Sequence, residues 1–354
     1  MTKTVARLSP LSRLFRLFRL SLLSLAILGG GLTACREDQG PVVVVYTALD
    51  STFSRPIFED FTRKTGIRVL AQYDTESTKT VGLTNRIRLE KNRPRCDVFW
   101  NNEIVNTLLL KREGFLAPCR PEEAKNYPDR YKDPEGYWYG FAARARVINV
   151  NTELVPRDRY PDSIDDLADP SWKGRTGIAK PLFGTTASHV ACLVAANGEE
   201  RTRKFLQSLA ENGVQIHGGN KGCAEAVAGG HNAFALTDTD DAMIEKDAGR
   251  PVDIIYPDSA GDGPGTLFLP NTLAIVKGAP HPEEALRLIE YLLSAEVENA
   301  LARCPSAQIP LNRKSAPNRR VKSPEEIQSF RVDFEKAAEV FDRAQKLVEE
   351  TLLR

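Results

Sequence analysis

The chain has 354 residues, with 48 Lys+Arg against 47 Asp+Glu and a formal charge of +1. Residues 1–35 hold five of the basic side chains and no acidic one, so the remainder carries 43 against 47, a formal −4. That balance argues against nucleic acid as a partner, which demands a basic face, and no segment after residue 35 is apolar enough to cross a bilayer.

In chain order, Lys3, Arg7, Arg13, Arg16 and Arg19 form a basic leader. The apolar stretch Leu20–Leu28 is too short for a membrane span, and Leu32-Thr33-Ala34-Cys35 closes it. This ending resembles a bacterial lipobox. It implies a lipoprotein signal peptide over 1–35 and a lipid on Cys35 that anchors the protein to a membrane from the periplasmic or cell-surface side. Residues 36–41 read as a tether.

The β-branched run "PVVVVYTALD" predicts a buried strand ending at Asp50. Phe53, Ile57, Phe58 and Phe61 then recur at helical spacing up to a C-capping Gly66. "IRVLAQYDT" reads as a strand, "TVGLTNRIRLEKN" as a helix, "CDVFWNNE" as a strand and "IVNTLLLKREGF" as a helix. Such alternation predicts an α/β sheet with crossover connections, whose ligands lie beyond the carboxyl ends of the strands. "YWYGFAARARVINVNTELV" predicts a long extended run into a second lobe, in which Arg144 and Arg146 point the same way. There "RTGIAKPLFGTTASHVACLVAA" gives a strand, a loop with Thr185 and Thr186, and a helix. "VQIHGGNKGCAEAVAGG" gives a strand and a helix, "NAFALTDTDDAM" a strand ending in an acidic loop, and "PVDIIYPDSAGDGPG" a strand and a loose loop.

"TLFLPNTLAIVKGAP" reads as a return strand and "HPEEALRLIEYLLSAEVENALA" as one helix. A final helix is expected from Ser323-Pro324-Glu325-Glu326, a capping-box pattern, with Ile327, Phe330, Phe334, Phe341 and Val348 on its buried face. About 320 residues exceed what one core holds, so two lobes are expected. They span 42–143 with 267–354, and 144–266. Of the five cysteines beyond Cys35, at least one thiol stays free if the chain is exported. Cys192 and Cys223 are able to pair, or Cys192 is a small buried apolar residue.

Asp238, Asp240 and Asp241 fall within four positions after an apolar run. One aspartate serves as a helix N-cap, but three exceed what capping needs. With Asp50, and with Glu103 near, they offer hard oxygen ligands to a cation or partners to an ammonium or guanidinium group. Thr185 and Thr186 at a helix N-terminus suit an anion or plain capping. An aspartate pair around Thr239 also resembles the DxD of metal-dependent glycosyltransferases. That three-residue signal is weak, and an export leader argues against nucleotide-sugar chemistry. No nucleophile elbow, zinc HExxH or Walker loop is present, so no enzyme is expected. None of the four histidines shows a metal-ligand spacing.

"VVVYTALD…FEDFTRKTGIRV", "DVFWNNE", "YGFAARARVINVNT", "GTTASH" and "ALTDTDDA" in this order resemble periplasmic solute-binding proteins of the type 2 fold, and within them the ferric-iron branch. The resemblance implies two α/β lobes, each a mixed sheet flanked by helices, hinged by two crossover strands. It implies a monomeric substrate-binding component of an ABC importer, working with a permease and its ATPase. It carries a metal ion as cargo rather than as a cofactor. Residue by residue, the first-strand ligand position falls on Asp50. The glutamate position falls on Asn102, with Glu103 beside it, and the tyrosine pair falls on Asp240 and Asp241. The ligand set expected is therefore Asp50, Asn102, Glu103, Arg144, Thr185, Thr186, Asp238, Asp240 and Asp241, with Asp50, Asp240 and Asp241 on a metal. Iron or another cation or cationic solute is the expected cargo. A small anionic or zwitterionic solute such as a phosphonate is the alternative.

Overall fold

The computed structural model describes residues 40–74, 80–261 and 263–353; the basic leader, Cys35 and most of the tether lie outside them. The valine run forms β1 (Val42–Thr47), followed by α1 (Ser51–Thr65), β2 (Arg68–Tyr73), α2 (Val81–Leu89), β3 (Val98–Asn101), α3 (Val105–Arg112) and the short β4 (Leu116–Ala117). Helix α1 buries Ile57, Phe58 and Phe61. It ends where Gly66, at φ +73°, donates its N–H to Thr62 O, a left-handed turn that glycine enters at no steric cost. Trp100 of β3 packs edge-on against Phe58 at 5.6 Å and lies 5.1 Å from Phe141.

Strand β5 (Tyr139–Asn151) leads into β6 (Thr176–Ala179), α4 (Gly184–Asn197), α5 (Glu199–Glu211), β7 (Gln215–His217), α6 (Asn220–Ala228), β8 (Phe234–Asp238), α7 (Thr239–Asp247), β9 (Val252–Ile255) and β10 (Phe268–Val276). The strands lie in the order β2-β1-β3-β10-β5-β8-β6-β7. β1 is parallel to β2 and β3, β10 is antiparallel to β3 and β5, and β6 is parallel to β7 and β8. β5 joins the halves. It pairs with β10 through Ala145, then with β8 from Arg146 onward. The mixed α/β architecture expected from the sequence is present.

Three elements differ from their sequence signals. The stretch 281–302 is two helices, α8 (Pro282–Leu292) and α9 (Ala295–Arg303), broken at Ser294, whose hydroxyl accepts from Val297 N–H at 3.4 Å. At Ser323 one half of the capping box forms, Ser323 N–H to Glu326 Oε2 at 2.6 Å, but no helix follows. Thr266 N–H donates to Gln328 O and accepts Phe330 N–H on its own carbonyl, which pulls 328–330 into extended pairing. Helix begins only at α10 (Phe334–Glu339), capped by Asp333, and after Val340 continues as α11 (Phe341–Thr351). α10 packs on both α3 and α4, while α11 packs on α4 and α5, where Arg203 pairs with Glu350 at 3.2 Å. Helix α10 thus spans the two halves, while α11 lies against the second. Helix α5 is the third difference. No signal above singled it out, although Thr202, Leu206 and Leu209 are buried one turn apart. Cys192 and Cys223 are both buried, free thiols.

The crossover is held from outside the sheet. Ala142 in β5 sits at φ +42°, a conformation a Cβ disfavours. Its N–H donates to Glu298 Oε1 at 2.8 Å, while Leu311 and Asn312 N–H donate to Glu298 Oε2 at 2.6 and 2.8 Å. Burial pushes the Glu298 carboxyl up from 4.5 to about 7 against those three donors. The folded chain therefore holds this proton more tightly than the unfolded one. The stabilisation is full below about pH 4.5 and is lost as pH rises through about 7, on the order of 3 kcal/mol. Urea unfolding of the wild type and Glu298→Gln should diverge accordingly, the wild type losing that amount relative to the variant between about pH 4.5 and 7.5. A pH-independent difference would remove Glu298 as the cause.

Candidate functional site

Four strands deliver polar residues to one place. β1 ends ahead of Asp50, β3 ahead of Asn102 and Glu103, β6 ahead of the turn into α4, and β8 at Asp238. The apolar runs make the strands and stop where the polar residues begin, so the site gathers at the carboxyl ends of the sheet. Gly184, at φ +55°, opens α4 and brings Thr185 and Thr186 into its first turn.

Arg146, fully buried on β5, ties these ends together. Its Nη1 donates to Asp238 Oδ1 at 2.7 Å, Asn220 Oδ1 at 2.9 Å and Thr185 Oγ1 at 3.1 Å, and its Nη2 to Thr186 Oγ1 at 3.1 Å. Asp238 Oδ2 also accepts from Thr185 Oγ1 at 2.6 Å and Asn220 Nδ2 at 2.9 Å. Asp238 stands at the N-cap of α7 yet makes no capping bond, its carboxylate being turned inward to these donors. Asp240 and Asp241 lie in the first turn of α7, where the helix dipole favours negative charge. Arg144 meets Asp240 Oδ2 at 3.2 Å through Nη1 and Asn271 Oδ1 at 3.2 Å through Nη2. Burial works against the Arg144 charge, but Asp240, Asp238, Asp241 and Asp50 outweigh it and hold its pKa above the ordinary value.

One oxygen from each of Asp238, Asp240 and Asp241 falls within 4.8 Å of the others, close enough for one ion to bridge. They line a cavity of about 30 Å³ together with Asp50, Asn102, Arg144, Thr185 and Asn220, room for an ion or a water. The buried Asn102 Oδ1 has no hydrogen-bond partner. A wider groove of about 1200 Å³ lies elsewhere, beside Arg130, Leu311 and Phe330. It is open surface without converging carboxylates, so the small cavity is the better site.

Two expected ligands are otherwise engaged. Glu103 is fully buried and accepts Val105 N–H at 2.6 Å, Asn106 N–H at 3.1 Å and Asn101 Nδ2 at 2.7 Å, capping the start of α3. Its Oε2 also takes the Ser188 hydroxyl of α4 at 2.6 Å, a bond between the two halves of the sheet. Thr186 is occupied by Arg146 and Asn220 and does not line the cavity. Asp50 lines the cavity, while the converging trio contains Asp238 in its place. Sequence reasoning missed Asn220 and Asn271. The Gly218-Gly219 turn before α6 was the available signal for Asn220; nothing marked Asn271 within its strand. No histidine lines the cavity, and burial followed by the Arg146 charge pushes His189 down to about 3, so it stays neutral.

Comparison with known proteins agrees with this architecture. The model of the bacterial extracellular solute-binding protein family matches residues 106–340. Iron uptake protein A1 of Synechocystis sp. (strain ATCC 27184 / PCC 6803 / Kazusa) is 29% identical over 287 residues, 77% of this chain and 78% of that protein. The major ferric iron-binding protein of Neisseria meningitidis serogroup A is 26% identical over 294 residues, 81% and 86% of the two chains. The crystal structure of iron-bound HitA from Pseudomonas aeruginosa superposes with a TM-score of 0.79 at 25% identity, covering 88% of this chain and 99% of that one. The two-lobed fold is shared, and the chain is a binding protein rather than an enzyme. It belongs to the bacterial extracellular solute-binding proteins, on the branch that holds these iron-binding relatives.

Proposed function

We propose that the chain is the substrate-binding component of an ABC importer and captures a small hard cation, ferric iron first among them, between its lobes. The observation that carries this reading is the convergence of three carboxylates and the unpartnered Asn102 acceptor on an ion-sized cavity. A cavity of about 30 Å³ suits an ion or a water, which favours the cation over the zwitterionic and cationic-solute alternatives. Asp50 and Asn102 approach from one lobe and the aspartate trio from the other. Clustered carboxylates repel, and a cation relieves that repulsion only when the lobes meet, giving the differential affinity that drives closure. The hinge runs through 144–146 and 266–268. Helix α11, packed on α4 and α5, travels with the second lobe, and α10, packed on α3 and α4, lies across both.

The site holds no tyrosine among the described residues lining the cavity, so a ferric complex lacks the visible tyrosinate charge-transfer band. Titration with ferric citrate, Mn²⁺ or Ca²⁺ should stabilise a nearly colourless protein by about 2.7 kcal/mol at 100 times the dissociation constant. Asp240→Asn combined with Asp241→Asn should abolish that gain. A salmon-to-purple complex, or an undiminished gain in the double variant, rules out carboxylate ligation.

A lipid on Cys35 would hold the protein beside its permease, the basic leader and "LTAC" being the support for this. Cys35→Ser should shift the protein from the membrane to a soluble or uncleaved form on fractionation. Membrane association at an unchanged mature mass excludes the lipid anchor.

A further inference from the structure

The two buried arginines of β5 are held differently. Arg146 spends its guanidinium on four acceptors in one half of the sheet and is part of the framework. The Nε of both arginines lacks a partner, but the terminal nitrogens of Arg144, in a side chain only 3% exposed, make just two contacts, both at 3.2 Å. A buried guanidinium held so sparingly is the more readily displaced of the two. Its partners lie on opposite sides of the hinge: Asp240 belongs to the carboxylate trio, and Asn271 to β10, the second crossover strand. At Asn271 the β5–β10 register shifts, and Asn271 Nδ2 donates to Gln308 Oε1 at 2.8 Å and to the carbonyl of the left-handed Ala142.

We infer that Arg144 is a built-in competitor of the transported cation: it occupies Asp240 in the ligand-free protein, must leave it when the cation binds, and thereby tunes the site's affinity downward. This rests on the cation reading above and concerns the regulation of the same site. A guanidinium and a metal ion cannot both lie against one carboxylate without repelling each other. Part of the cation's binding energy is therefore spent on breaking the Arg144–Asp240 pair. The same pair neutralises a carboxylate of the empty site, which keeps the closed ligand-free form accessible. A transport protein has to release its cargo, and an internal cation ready to return to Asp240 favours release.

The test uses the purified protein with Mn²⁺ and ferric citrate as probes. Arg144→Gln should lower the dissociation constant about tenfold, the scale of one charge-assisted hydrogen bond. It should also lower the ligand-free melting temperature, so that the stabilisation by cation grows. Arg144→Lys, which retains the charge, should stay near the wild-type affinity. In crystals of the wild type with Mn²⁺ bound, the guanidinium should stand more than about 4 Å from Asp240 Oδ2, beyond salt-bridge range. This second measurement serves even if Arg144→Gln does not fold. Unchanged or weaker cation binding by Arg144→Gln, or an intact Arg144–Asp240 pair beside the bound ion, overturns the inference. Failure of the wild type to bind either probe, or binding that survives the Asp240/Asp241 double substitution, instead overturns the cation reading itself.

Discussion

The buried pair of Arg146 and Asp238 is the contact on which the site's geometry depends. The guanidinium sits on β5, where that strand passes from one half of the sheet to the other. Its acceptors come from the end of β8, the first turn of α4 and the start of α6. Three elements that approach from different directions are thus fixed by one planar group with five donors. Burying both charges is costly, and replacing such buried pairs with apolar residues is often neutral or stabilising. What the pair contributes is placement: with Asp238 held inward, Asp240 and Asp241 follow at the top of α7.

Charge balance in the cleft follows from that placement. Asp50, Asp238, Asp240 and Asp241 line it, with Arg144 beside them and Arg146 immediately behind. Arg146 commits Asp238 to the framework, while the looser Arg144 covers Asp240. The cleft stays acidic on balance, four carboxylates facing two guanidinium groups. The Glu103–Ser188 bond ties the start of α3 to α4 beside the cavity. Burial raises the Glu103 carboxyl, and hydrogen bonds led by Ser188 oppose that shift. A buried acceptor that holds both its own helix start and the opposite half is better suited to fastening than to ligation.

The parts legible in the sequence were those governed by local periodicity. The β-branched run of β1 and the apolar stretches of β3 and β8 give way to polar residues that line the cavity. Asp50, Asn102 and the aspartate trio line it from those strand ends, while Thr185 reaches it from the turn after β6 and Arg144 from within β5. What stayed hidden depends on partners distant in the chain. The Ser323 capping box is present but loses to pairing between 328–330 and Thr266, some sixty residues earlier. The break at Ser294 is set by a cap whose helical alternative looks equally regular in sequence. Glu103 carries the same carboxylate as a metal ligand, and only its backbone donors show that it caps α3. Asn271 lies inside an apolar strand, and its function rests on Arg144, 127 positions away.

The strained turn of β5 and Arg144, which lines the cavity, belong to one strand. Ala142 holds a left-handed conformation worth about 1–2 kcal/mol of strain. Glu298 grips its N–H, and Asn271 donates to its carbonyl. Two residues along β5, Arg144 reaches both Asn271 and Asp240; two further, Arg146 enters the Asp238 network. Alternation along the strand puts these arginines on the same side, facing the carboxylates. A single extended segment therefore carries the strained joint, the exchangeable cation and the fixed one in successive register. Asp240 is connected to Ala142 through Arg144 and Asn271, each step a direct hydrogen bond or ion pair.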